Sequence, residues 1–161
     1  MRSACWLHVI LLSVLVVTTT NLAYADPNGH FTVTANGPPI TGDLTNAVLS
    51  RSTVNMIMVI DQNLPTNIGP VNLVGNGLWS GTMSNLTLSG TISNVQGSAK
   101  ACLFIFCQEA SFTGEGTWNG TLNASASGSG TFQGTLTFTG SPLAPSGPVP
   151  ISGTWESTFQ E

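Results

Sequence analysis

The chain has 161 residues, of which only 6% are charged, and its formal net charge is −4. Three basic residues in the whole sequence form no cluster able to release phosphate counterions, which argues against nucleic acid and against an anionic membrane held by charge. So low a charge does not signify disorder here, because Val, Ile, Leu, Phe and Trp recur on a regular beat with Thr, Ser and Asn between them.

Residues 1–25 have the layout of a cleavable export signal: Arg2, an apolar run from Cys5 to Val17, and the small-x-small triplet Ala23-Tyr24-Ala25. The run is too short for a membrane span, which takes about 20 apolar residues. Cleavage after Ala25 predicts a secreted or otherwise extracytoplasmic product, periplasmic or cell-surface, consisting of one all-β domain over residues 26–161. Without Arg2, the cations are Arg51 and Lys100 against seven acids, a net charge of −5.

Phe31, Val33 and Ala35 alternate with His30, Thr32 and Thr34, the period of a strand with His30 facing out. Between Leu44 and Ser50, behind Asp43, a short helix and a strand fit equally well. Val54 to Ile60 is apolar at nearly every position and predicts a strand covered on both faces. In Trp79-Ser-Gly81-Thr-Met83 the apolar positions are odd, and in Leu86-Thr-Leu88-Ser-Gly90-Thr-Ile92 they are even. That phase change predicts a two-residue turn at Ser84-Asn85, pairing Met83 with Leu86, Gly81 with Leu88 and Trp79 with Gly90.

Cys102 and Cys107 flank Leu103, Phe104, Ile105 and Phe106. An oxidising compartment predicts a disulfide, which needs Cα atoms within about 7 Å and therefore a closed loop between them. The four apolar residues then either tuck inward on a stapled hairpin or form an exposed apolar loop offered to a partner. From Thr117 to Gly140 the alternation is unbroken, with even positions apolar or Gly and odd positions polar. A three-residue turn at Gly128-Ser129-Gly130 keeps both arms in phase and pairs Trp118 with Gly140, Gly120 with Phe138, Leu122 with Leu136 and Ala126 with Phe132. Pro142, Pro145, Pro148 and Pro150 mark a stiff connection before a last strand from Ile151 to Gln160.

A degenerate repeat underlies these segments: Gly77-Leu-Trp-Ser-Gly-Thr-Met83, Gly116-Thr-Trp-Asn-Gly-Thr-Leu122, Gly130-Thr-Phe-Gln-Gly-Thr-Leu136 and Gly153-Thr-Trp-Glu-Ser-Thr-Phe159. Eight to ten short antiparallel strands joined by tight turns predict a meander closed into a small barrel, with a two-sheet sandwich as the alternative. The triplets ending in Trp79, Trp118 and Trp155 resemble the Gly-x-Trp of lipocalins and the related avidin barrels. Lipocalins carry it once, near the mature amino terminus; here it recurs three times, so the resemblance stops at the triplets.

The tryptophans Trp79, Trp118 and Trp155 either fill the core or line a pocket for an apolar ligand. Chemistry-bearing constellations are missing from the sequence. His30 is the only histidine after the export signal, Glu109 and Glu115 form a close acidic pair, and no phosphate loop or nucleophile elbow occurs. Three glycosylation sequons, headed by Asn85, Asn119 and Asn123, fall in a turn or on a wet face. The expectation is a non-enzymatic β-barrel without metal or cofactor. It binds a small apolar ligand, or a protein partner, through its open end or the Cys102–Cys107 loop. A structural or adhesive surface protein and an outer-membrane barrel are the alternatives.

Overall fold

A computed structural model describes residues 27–34, 39–66, 69–103, 106–142 and 144–160. The predicted export signal, Ala35, Phe104 and Ile105 lie outside the described residues. Alternation of period two organises the rest into eight strands: β1 (Gly29–Thr34), β2 (Ile40–Ser50), β3 (Thr53–Thr66), β4 (Gly69–Ser84), β5 (Thr87–Leu103), β6 (Phe106–Leu122), β7 (Ser127–Thr139) and β8 (Val149–Thr158). Each pairs antiparallel with its sequence neighbour, and β8 returns to pair with β1 from Gly29↔Ser157 to Thr34↔Ser152. That last ladder closes the barrel and removes both free edges, which decides against the sandwich.

Two asparagines adjust the phase of the strands. Asn46 on β2 and Asn94 on β5 have φ of 50° and 52° and sit where the ladders slip by one residue. A bulged residue reverses which parity faces inward. On β2 the inward residues are therefore Leu44 and then Ala47, both fully buried. Their spacing of three imitates one turn of a helix, which is why a helix and a strand fit that stretch of sequence equally well. On β5 the inward set switches from Leu88 and Ile92 to Val95. In β3, Val54, Met56, Met58 and Ile60 face the core, whereas Ile57 on the outer face is 38% exposed. The double cover expected for this strand is absent among the described residues: its outer neighbours in register are Thr45 and Leu78, side by side in the same wall.

Both predicted turns are displaced. The β4–β5 turn is Asn85-Leu86, with Ser84↔Thr87 closing it and φ of 49° and 65° at its two centres. That is the left-handed pair whose twist matches a hairpin, and Asn tolerates it at the first position. Met83 therefore pairs with Leu88, Gly81 with Gly90 and Trp79 with Ile92. The β6–β7 turn lies at 123–126, not at 128–130. Asn123 Oδ1 accepts hydrogen bonds from the backbone N–H groups of Ser125 at 2.9 Å and Ser127 at 3.1 Å, and Ala126 has φ of 54°. An asparagine that bonds its own following backbone outcompetes the glycines as a turn former. Gly128 and Gly130 become strand residues, so Trp118 pairs with Phe132, Gly120 with Gly130 and Leu122 with Gly128. Phe138 faces Phe112, and Gly140 follows the end of β7. The last strand starts earlier than predicted, at Val149, which places Pro150 inside it.

The barrel thus has two unlike ends. One carries the tight turns and the carboxyl-terminal segment, where the Leu49 N–H donates to the Gln160 carbonyl, the Gln160 N–H to the Ala47 carbonyl and the Phe159 N–H to the Ala126 carbonyl, each at 2.9 Å. The other carries the β1–β2, β3–β4, β5–β6 and β7–β8 connections. Leu86, 54% exposed and left-handed, packs little and is strained for a branched side chain. Leu86→Gly is expected to raise unfolding stability by about 1 kcal/mol, read as a higher urea midpoint at unchanged slope.

Candidate functional site

The turn-bearing end is filled by aromatic rings. Trp79 lies among Phe132, Trp118, Phe31 and Trp155, with ring centroids 5.3, 6.0, 6.3 and 6.3 Å away. Trp118 and Trp155 meet edge to face at 5.4 Å, and Phe159 covers Trp155 from the chain end. Rings of this size fit because the strand beside each is bare. Phe31 faces Gly42, Trp118 faces Gly90, Trp155 faces Gly130 and Phe132 faces Gly153, and outside the plug Phe112 faces Gly97 in the same way. A Cβ built on Gly90 would lie 2.7 Å from Trp118 Nε1, and one on Gly153 2.6 Å from Phe132 Cζ. The glycines are therefore part of the ring sites.

The repeat acquires a physical meaning here. Trp118 on β6 crosses Gly90 on β5, reaches Gly81 on β4 and donates from Nε1 to the Ser80 carbonyl at 3.3 Å. Trp155 on β8 crosses β7 in the same way, reaches Gly120 on β6 and donates to the Asn119 carbonyl at 3.0 Å. In both cases the Trp-x-Gly of one copy receives the indole of the next tryptophan-bearing copy, two strands away. Trp79 cannot repeat the contact, because its neighbour on β3 is Met56 instead of a glycine. Its Nε1 is buried with no hydrogen-bond partner among the described residues. The three tryptophans singled out in sequence therefore form a packed plug, all at most 2% exposed, and do not line the cavity described next.

That cavity lies on the other side of the plug, in the half of the barrel nearer the β1–β2, β3–β4, β5–β6 and β7–β8 connections. It holds about 160 Å³, with Phe31 and Phe132 shared with the plug and aliphatic walls that include Ile60, Leu73, Val95 and Ile151. Gly134, which faces Gly116 across β6 and β7, is one of its walls and puts no side chain into it. No sequence motif marks these residues; they come from many strands, and the apolar ones share only inward parity. Facing glycines in two neighbouring repeats are the one available signal.

Cys102 and Cys107 are directly opposed in the β5–β6 ladder and form the disulfide, with Cα atoms 4.1 Å apart. The closed loop is the tip of the hairpin formed by the two longest strands. Phe106 is 75% exposed there, which overturns the inward-tucked arrangement for this residue. Phe104, Ile105 and the Leu103 side chain lie outside the described part. A disulfide is compatible with an extracytoplasmic location. His30 faces outward as expected and its Nδ1 lies 2.8 Å from Asp43 Oδ1 across β1–β2. Glu109 and Glu115 are both exposed on the outer face of β6. Among the described residues, no three His, Cys, Asp or Glu side chains gather as a metal site.

Comparison with protein-family models, with curated proteins and with solved structures finds no match to the chain.

The different surroundings of the indoles have a measurable consequence. Trp155→Phe removes the indole hydrogen bond to the Asn119 carbonyl, whereas Trp79→Phe removes a buried donor that has no acceptor among the described residues. Chemical denaturation should show Trp155→Phe losing about 1–2 kcal/mol more than Trp79→Phe. Removing the Cys102–Cys107 bond by the double change to Ser frees a six-residue loop, for which chain entropy predicts a loss of about 2 kcal/mol, visible as a lower melting temperature.

Proposed function

We propose that the protein is an extracytoplasmic, non-enzymatic β-barrel that holds a small apolar ligand in its half-empty end. The observation that carries this reading is the coexistence of a tightly packed aromatic plug with an apolar cavity of about 160 Å³ immediately beside it. Protein interiors close such voids unless the surrounding structure prevents collapse. Here the barrel wall and the plug hold it open, and an apolar cavity of about this size takes up benzene-sized guests without water.

A second reading, a structural or adhesive surface protein, draws on the outer wall. Thr53, Thr82, Ser89, Asn119, Thr131, Thr154, Thr32 and Thr41 stand opposite one another from ladder to ladder, a nearly continuous belt of hydroxyls and one amide. The same belt speaks against the outer-membrane alternative, whose lipid-facing positions need to be apolar.

Benzene titrated into the protein and followed by calorimetry tests the first reading. Saturable binding is expected, together with its loss in Ile151→Phe, a variant that fills the cavity, at unchanged near-ultraviolet circular dichroism of the tryptophans. No binding to the unaltered protein would leave the outer belt as the better account.

A further inference from the structure

The cavity's shape and surroundings narrow the ligand further, and this step rests on the apolar-ligand reading above. We propose that the ligand is a single short hydrocarbon chain of about five or six carbons. It lies tail-first in the cavity, and its non-anionic head emerges through the β6–β8 wall beside Glu115.

Size sets the tail. An apolar cavity of about 150 Å³ lined by Leu, Ile and Phe takes up benzene, a six-carbon guest, so a cavity of about 160 Å³ sets a tail of about five or six carbons. Polarity sets the head outside. The interior surfaces contributed by Ile60, Leu73, Val95 and Ile151 offer no hydrogen-bond partner, and a polar group buried there without one is strongly disfavoured.

The way out is marked by one row of the sheet. Glu115, Thr135 and Pro150 are directly opposed across β6, β7 and β8, all exposed and all outward-facing by parity. Yet these three also line the internal cavity, and they line an outer trough of about 1030 Å³ as well. The wall between the two spaces is thin here for two reasons. Gly116 and Gly134 supply only backbone, and Pro150 has no N–H to give to the β7–β8 ladder. β8 begins only one residue earlier, at Val149, so the weak point also adjoins the start of that strand.

Charge then selects the head. Glu115 is the only ionisable residue among those lining the cavity and the trough. A carboxylate head would meet a like charge and find no cation, whereas a hydroxyl finds Thr135 and Gln133 and an ammonium finds Glu115.

The test is a homologous series. Normal alcohols from propanol to decanol are titrated into the protein by calorimetry, followed by hexylamine and hexanoate at pH 7, with benzene as reference. Affinity should rise about fourfold per methylene up to five or six carbons and then level off. Hexylamine should match or exceed hexanol, and hexanoate should bind about fivefold more weakly. Glu115→Gln, a change at an exposed residue, should narrow the gap between hexylamine and hexanoate. A series without a break, hexanoate binding as well as hexanol, or a gap indifferent to Glu115→Gln would each overturn the proposal while benzene still binds. Failure of benzene and of every alcohol alike would remove the apolar-ligand reading itself.

Discussion

Bulky rings inside a narrow barrel need somewhere to lie, and glycine on the adjacent strand provides it. Five cross-strand pairs place an aromatic ring opposite a glycine. Each glycine taken alone weakens a strand, because it adds backbone entropy and no packing. Opposite a ring the balance reverses, since the ring covers the bare backbone and gains contact along its whole face. The two indole hydrogen bonds then tie strands that are not neighbours, β6 to β4 and β8 to β6, so the plug braces the wall across its own ladder gaps.

The same residue type does the opposite in the other half. Gly116 and Gly134 face each other with no ring between them, and space remains where other glycines are covered. Filled and unfilled glycines thus divide the barrel into a rigid end and an end with a void. The filled end resists collapse, and the void next to it is bounded by Phe31 and Phe132, which the plug already holds in place. A binding function built on this arrangement needs no moving part and no buried charge.

The end opposite the tight turns has a lip. β5 and β6 remain paired as far as Leu103↔Phe106, whereas β7 meets β6 only from Ser111 onward. The hairpin tip therefore extends without a β7 partner, and its disulfide adds a covalent bond to the β5–β6 ladder there. Phe106, exposed at that tip, is separate from the cavity and from the Glu115–Thr135–Pro150 row.

Much of this was legible before any coordinates. Alternation along 79–92 and 117–140 identified the strands and the inward set, because side-chain period depends only on the chain's own geometry. The rule that large residues sit against glycine was also readable, and so was the Cys102–Cys107 pairing. Its particular partners were not: across β6–β7 Trp118 meets Phe132 instead of Gly140, since a turn begun by Asn123 instead of one centred on Ser129 moves every contact of that hairpin, and the glycine opposite Trp118 is Gly90 on β5. The bulges at Asn46 and Asn94 left only a blurred period, indistinguishable from a helical turn in one case. The cavity was beyond reach, because residues such as Ile60, Val95 and Ile151 become neighbours only when β8 closes on β1. Local periodicity determined that this chain would build a wall with a dry side and a wet side. Register and closure, which depend on long-range pairing, decided what the dry side encloses.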